Sequence, residues 1–184
     1  MPILLQPTDL TSQLEQFGSV LIVSCPVCPA VSMAIARSEP LFDFFRHGVK
    51  TDALEDHIKS IQADLERRRV RTDVFTIRMP HPLMCLWTAR QRNRLLKRAD
   101  GFEAVLVLGC HSAAMTAEEA LTDADCEVLL GMQEIGLTNA TIRYRPPARV
   151  ELDVHPLPDN PFGRSKRHGP GGKDSLKGQG NVGK

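Results

Sequence analysis

The sequence predicts an open, mostly parallel α/β sheet with helices on both faces. Two runs carry that prediction: SVLIVS at residues 19–24 and AVLVL at residues 104–108 are unbroken β-branched and aliphatic stretches. Strands buried on both faces of a parallel sheet read this way, without polar alternation. Between the two runs, helical patterns alternate with a further strand pattern, which implies crossover helices and places the fold in the flavodoxin-like or Rossmann-like group.

Taken in order, residues 9–17 set Leu10, Leu14 and Phe17 at helical spacing ahead of Gly18, predicting a short opening helix. The first apolar run then leaves through Cys25-Pro-Val-Cys28-Pro29, and Pro29 suits the first turn of a helix through Arg37. Residues 51–69 carry Leu54, Ile58, Ile61 and Leu65 on one helical face, with the charges elsewhere. Residues 70–77 read as a strand that runs into Met79-Pro-His81-Pro, an extended link to Cys85 and then a basic helix through Arg98. The run at 104–108 ends in Gly109-Cys110-His111-Ser112, with a helix predicted over 113–121. Residues 127–130 suit another strand, and 141–144 and 149–154 alternate in polarity as hairpin or edge strands do.

The chain has 184 residues, 42% hydrophobic and 24% charged, with a formal net charge of +1. That length suits one domain, here residues 1–156, and the composition is that of a globular protein. Residues 163–184 carry Arg164, Lys166, Arg167, Lys173, Lys177 and Lys184 against Asp174 alone, are rich in glycine and hold almost nothing apolar. Such a segment has too little apolar surface to fold, so residues 157–184 are expected to form a flexible basic tail. Apolar runs are strand-sized, far below the roughly 20 residues needed to span a bilayer. No basic and apolar leader pattern opens the chain, and a cytoplasmic location is expected. The tail lacks interleaved aromatics and no nucleic-acid module precedes it, so a nucleic-acid partner is not expected.

Five cysteines without an export signal argue against a disulfide framework and for metal binding or thiol chemistry. In an open parallel sheet the loops at the carboxyl ends of the strands converge on one crevice. Cys25 and Cys28 follow one strand, Cys110 follows another, and Cys85 lies in the connection after a third, so all four are candidate metal ligands. Four thiolates suit tetrahedral zinc, with Zn–S near 2.3 Å, or an iron–sulfur cluster. Cys126, at the start of a strand, belongs to the opposite end and reads as structural. His81 and His111 neighbour the cysteine loops and are candidate cofactor-binding residues.

These features, VLIVSCPVC at residues 20–28, a cysteine in the middle connection (Cys85) and AVLVLGC at residues 104–110, resemble the C-terminal domain family of methylenetetrahydrofolate reductases. The resemblance spans about residues 18–135. It implies a zinc or iron–sulfur accessory subunit or domain that partners a flavin-dependent reductase in one-carbon metabolism.

Two other readings compete. Cys25-Pro-Val-Cys28 at a strand-to-helix turn also resembles thioredoxin-like motifs, implying a thiol-disulfide oxidoreductase with Cys25 as nucleophile and Cys28 as resolving thiol. That reading leaves the strand ending in Cys110 unexplained. A flavodoxin-type small-molecule module is the third, but the first strand end offers two prolines and no glycine for cradling a phosphate.

Overall fold

The computed structural model describes residues 3–45, 51–77 and 86–156. His81, Cys85 and the expected tail at 157–184 lie outside the described residues. In chain order the elements begin with β1 (Ile3–Pro7), α1 (Thr11–Leu14), β2 (Ser19–Ser24), α2 (Cys28–Arg37) and β3 (Phe42–Asp43). The middle of the chain forms α3 (Asp52–Arg67), β4 (Arg71–Thr76), α4 (Ala89–Ala99), β5 (Ala104–Leu108) and α5 (His111–Ala120). Four strands close it: β6 (Glu127–Leu130), β7 (Met132–Leu137), β8 (Ala140–Arg145) and β9 (Arg149–Val154).

At the centre is a four-stranded, wholly parallel sheet in the order β4-β2-β5-β6. The apolar runs form its two middle strands, and every residue of β2 and β5 is buried. Burial on both faces explains why neither run alternates: each side chain has a helix or another apolar layer to meet.

Opposite faces of the sheet carry different helices. Leu106 and Leu108 of β5 line a space together with Ile61 and Leu65 of α3, which fixes α3 over their face. Val107 points the other way by strand alternation, and a methyl at Gly109 would meet both Val107 Cγ1 and Ala113 Cβ of α5. The α3 stripe is laid out as its spacing predicts, with Leu54, Ile58 and Leu65 buried and Ile61 packed against the core.

Helix α2 is buried from Cys28 through Ala34 because β1 lies across it. Ser32, on the buried length of α2, joins the two: its Oγ accepts the Leu5 N–H at 2.8 Å and donates to the Ile3 carbonyl at 3.4 Å. β1 pairs antiparallel with β7. The hairpin expected from residues 141–154 forms, but in a separate antiparallel sheet of order β3-β9-β8. Its β8–β9 charges pair across strands, Arg143 with Asp153 and Arg145 with Glu151, while Arg149 of β9 reaches Asp43 of β3.

Helix α4 starts at Ala89, later than the link around Cys85 suggests, because Thr88 and Gln91 form a reciprocal cap. Thr88 Oγ1 accepts the Gln91 N–H at 3.3 Å, and the Thr88 N–H donates to Gln91 Oε1 at 2.7 Å. Among the described residues no helix is long and apolar enough to cross a membrane.

Candidate cysteine site at the carboxyl rim

The register fixes the rim. Ser24 of β2 stands level with Thr76 of β4 on one side and with Leu108 of β5 on the other. The ladder continues one step past the strand ends, with the Cys25 N–H donating to the Leu108 carbonyl at 3.0 Å. On the other side the Ile77 N–H donates to the Ser24 carbonyl, also at 3.0 Å. Cys25 is therefore seated beside Gly109, and Cys110 follows immediately. A methyl at Gly109 would lie 3.4 Å from Cys25 Cβ and 2.8 Å from Ala113 Cβ, so the two loops approach closely because position 109 has no side chain.

The chain passes from β2 to β4 on one side and later to β5 on the other. The β2–β5 seam is thus the point where strand order reverses, and in open parallel sheets a crevice opens there at the carboxyl ends. Cys25 leaves one strand of the seam and Cys110 leaves the other. The exit from β4 is also at this rim, because the buried Ile77 is held against Ser24 and precedes the segment that carries Cys85.

Two of the rim cysteines, Cys28 and Cys110, meet helix starts. Cys28 is the first residue of α2 and is followed by Pro29, whose missing N–H costs nothing in the first turn. Cys110 is the residue preceding α5, in extended backbone geometry, and its side chain does not cap the helix. The carboxylate of Glu134, from β7, does so instead: its Oε1 accepts the His111 N–H at 2.9 Å. Helix α5 thus begins at His111, two residues before the predicted start, because a cap arrives from a distant strand that local sequence cannot reveal. The His111 side chain is exposed at this rim.

Cys25, Cys28 and Cys110 are all buried, at 6%, 5% and 7% exposure. Ser24 precedes them at 1% exposure, and among the described residues its Oγ has no hydrogen-bond partner. Sequence reasoning passed over Ser24, although a hydroxyl closing an otherwise aliphatic run was a visible signal. Cys126 lies just before β6, at the amino end of the sheet, as its place in the sequence predicts. Its thiol pKa is raised above the usual value by burial and by the nearby Asp125 carboxylate.

Among the described residues, no three His, Cys, Asp or Glu side chains are grouped so as to hold a metal ion. Cys25, Cys28 and Cys110 therefore share a rim without composing a ligand set by themselves, and the fourth candidate, Cys85, is outside the described residues. No protein-family model, curated protein or solved structure matches the chain.

Proposed function

We propose that the β2–β5 rim is the working site of the protein, and that Cys25, Cys28 and Cys110, completed by Cys85, take up zinc or an iron–sulfur cluster. The protein would then serve as an accessory domain to a redox enzyme, in keeping with the resemblance of its cysteine loops to the reductase-associated family named above. A flavin-dependent reductase of one-carbon metabolism is the partner which that resemblance implies.

The observation that carries the proposal is the seating of Cys25 beside Gly109-Cys110 at the point of reversed strand order. Strand order β4-β2-β5-β6, renumbered for the parallel strands alone, is the 2-1-3-4 order of flavodoxin-like sheets, and it supports that finer fold reading. The Ser24 hydroxyl, which has no hydrogen-bond partner among the described residues, is a second support, since a buried polar group of this kind calls for a hydrogen-bonding ligand or neighbour. Cys25, Cys28 and Cys110 are not grouped as ligands among the described residues, so metal uptake would draw these three thiols together with Cys85.

A second reading rests on the position of Cys28. With Cys28 opening α2 and Cys25 three residues earlier, the pair could cycle between dithiol and disulfide, with Cys25 attacking. The wholly parallel sheet, with Cys110 one residue beyond the Gly109 that faces Cys25, is not the arrangement that thioredoxin-like motifs occupy, and the metal reading accounts for Cys110.

Anaerobic purification followed by metal analysis and a visible spectrum separates the readings. Stoichiometric zinc, or iron with charge-transfer absorption, supports the first. Metal-free protein with a titratable Cys25–Cys28 disulfide would overturn it in favour of the second.

A further inference from the structure

A separate cavity of about 280 Å³ lies on the α3 face of the sheet, between α3 and the β1–α1 connection. Its floor is apolar: the half-buried Leu10 and Ile61 present surface to it, backed by the buried Leu106 and Leu108 from β5, Leu14 from α1 and Leu65 from α3. An apolar cavity of about 150 Å³ is enough to hold benzene, so this one accepts a six-membered ring with a short arm.

Its wall is polar and of one charge sign. Asp9 and Asp64 supply carboxylates, Thr11 and Ser60 hydroxyls, and His57 an imidazole. The neighbouring cations do not line it. Arg67 is engaged with Asp64, Arg68 is engaged with Glu15 and also acts on Asp9, and Arg37 acts on His57 from α2. Both bonds to Asp9, from the Thr11 N–H at 3.0 Å and the Thr11 hydroxyl at 2.7 Å, fall on Oδ1. Arg67 likewise reaches only Oδ1 of Asp64. The second oxygen of each carboxylate therefore accepts nothing among the described residues. His57, half-buried, makes no hydrogen bond among them either.

The geometry points to a second binding site, for a small molecule with an apolar ring-sized body and a protonated amine head. The ring rests on the leucine floor, and the ammonium donates to Asp9 and Asp64, with His57 and Ser60 as further partners. An anionic head of the same size meets two carboxylates and is rejected. No cysteine lines this site: it is built from the β1–α1 connection, α1, α3 and the Leu106 and Leu108 side chains of β5, and it stands whether or not the rim binds metal.

Benzylamine, benzyl alcohol and benzoate share a ring and differ in the head, so they serve as probes. Titration of the full chain, followed through the Leu106 and Leu108 methyl and His57 ring resonances, should show saturable shifts with benzylamine. Benzoate should bind more weakly by about fivefold or more, in line with roughly 1 kcal/mol for partly exposed charge pairs. Asp64→Asn should narrow that ratio while the ring contacts persist. Ser60→Phe, at an exposed position on α3, should abolish the shifts with the thermal midpoint unchanged. Absence of shifts with all three probes, equal affinity for benzoate and benzylamine, or full binding by a folded Ser60→Phe protein would each overturn the assignment.

Discussion

The main-chain N–H of Cys25 donates to the carbonyl of Leu108 at 3.0 Å, so the pairing of β2 with β5 outlasts both strands. That bond places the first cysteine loop level with Gly109 and brings Cys110 next to it. The rim extends a buried ladder, with Cys25 and Ile77 each bonded to the sheet one residue beyond their strands.

Gly109 is the tightest point. Alanine there would bring its methyl to 2.8 Å from Ala113 Cβ, and a Cβ on a helix cannot rotate away. Gly109→Ala should cost about 1–3 kcal/mol, the usual range for overpacking. Urea denaturation measures it, and an unchanged midpoint would mean that the β5–α5 turn is looser than described.

Glu134 stabilises the start of α5 from outside the helix. Its carboxylate is exposed, so the interaction is screened and should be worth about 0.3–1 kcal/mol. Glu134→Ala should lower stability by that amount and speed hydrogen exchange at the His111 amide. Equal exchange in both proteins would show that the cap is absent in solution.

Ser32 satisfies the Leu5 N–H within a buried contact. Ser32→Ala should orphan that donor at a cost of about 1–3 kcal/mol. The loss should be concentrated at β1, seen as faster exchange at Leu5 relative to the amides of β2 and β5. Uniform weakening across the sheet would contradict this.

His57 should make stability depend on pH. Burial, and then the charge of Arg37, hold its pKa below the ordinary 6.5. Below that ordinary value the unfolded chain takes up the proton before the folded one does, so stability is fully present above it and falls as pH drops toward the folded pKa. His57→Gln should flatten the thermal midpoint between about pH 7 and about pH 5.5. A variant with the same slope as the parent would remove His57 from the account.

Complete burial made two strands the plainest in the sequence, although the partly exposed β4, β6, β8 and β9 were also legible there. β2 and β5 were legible because burial on both faces leaves no room for alternation, and α3 because Leu54, Ile58 and Leu65 repeat at the helical period. The cysteine rim followed from those strands, since parallel neighbours must end together. What escaped was non-local or compressed. β1 is a short apolar run closed by Pro7, and it becomes a strand only by meeting β7 from the other end of the fold. β7 is separated from β6 by Gly131 alone, so the sequence shows no turn where the chain changes sheets. At that glycine a methyl would lie 2.9 Å from the side chains of Leu106 and Leu108. β3 is two residues long and carries no periodic signal at all. The Thr88–Gln91 cap was visible as a Thr-x-x-Gln pattern and would have placed the start of α4 correctly.

Cadmium is a thiolate-seeking stand-in for zinc, and the resonance position of bound ¹¹³Cd reports how many sulfurs surround it. The account predicts one cadmium per chain in an all-sulfur environment, lost in Cys25→Ser, Cys28→Ser, Cys85→Ser and Cys110→Ser and kept in Cys126→Ser. A resonance typical of nitrogen and oxygen ligands, or an all-sulfur signal that survives Cys110→Ser, would contradict it.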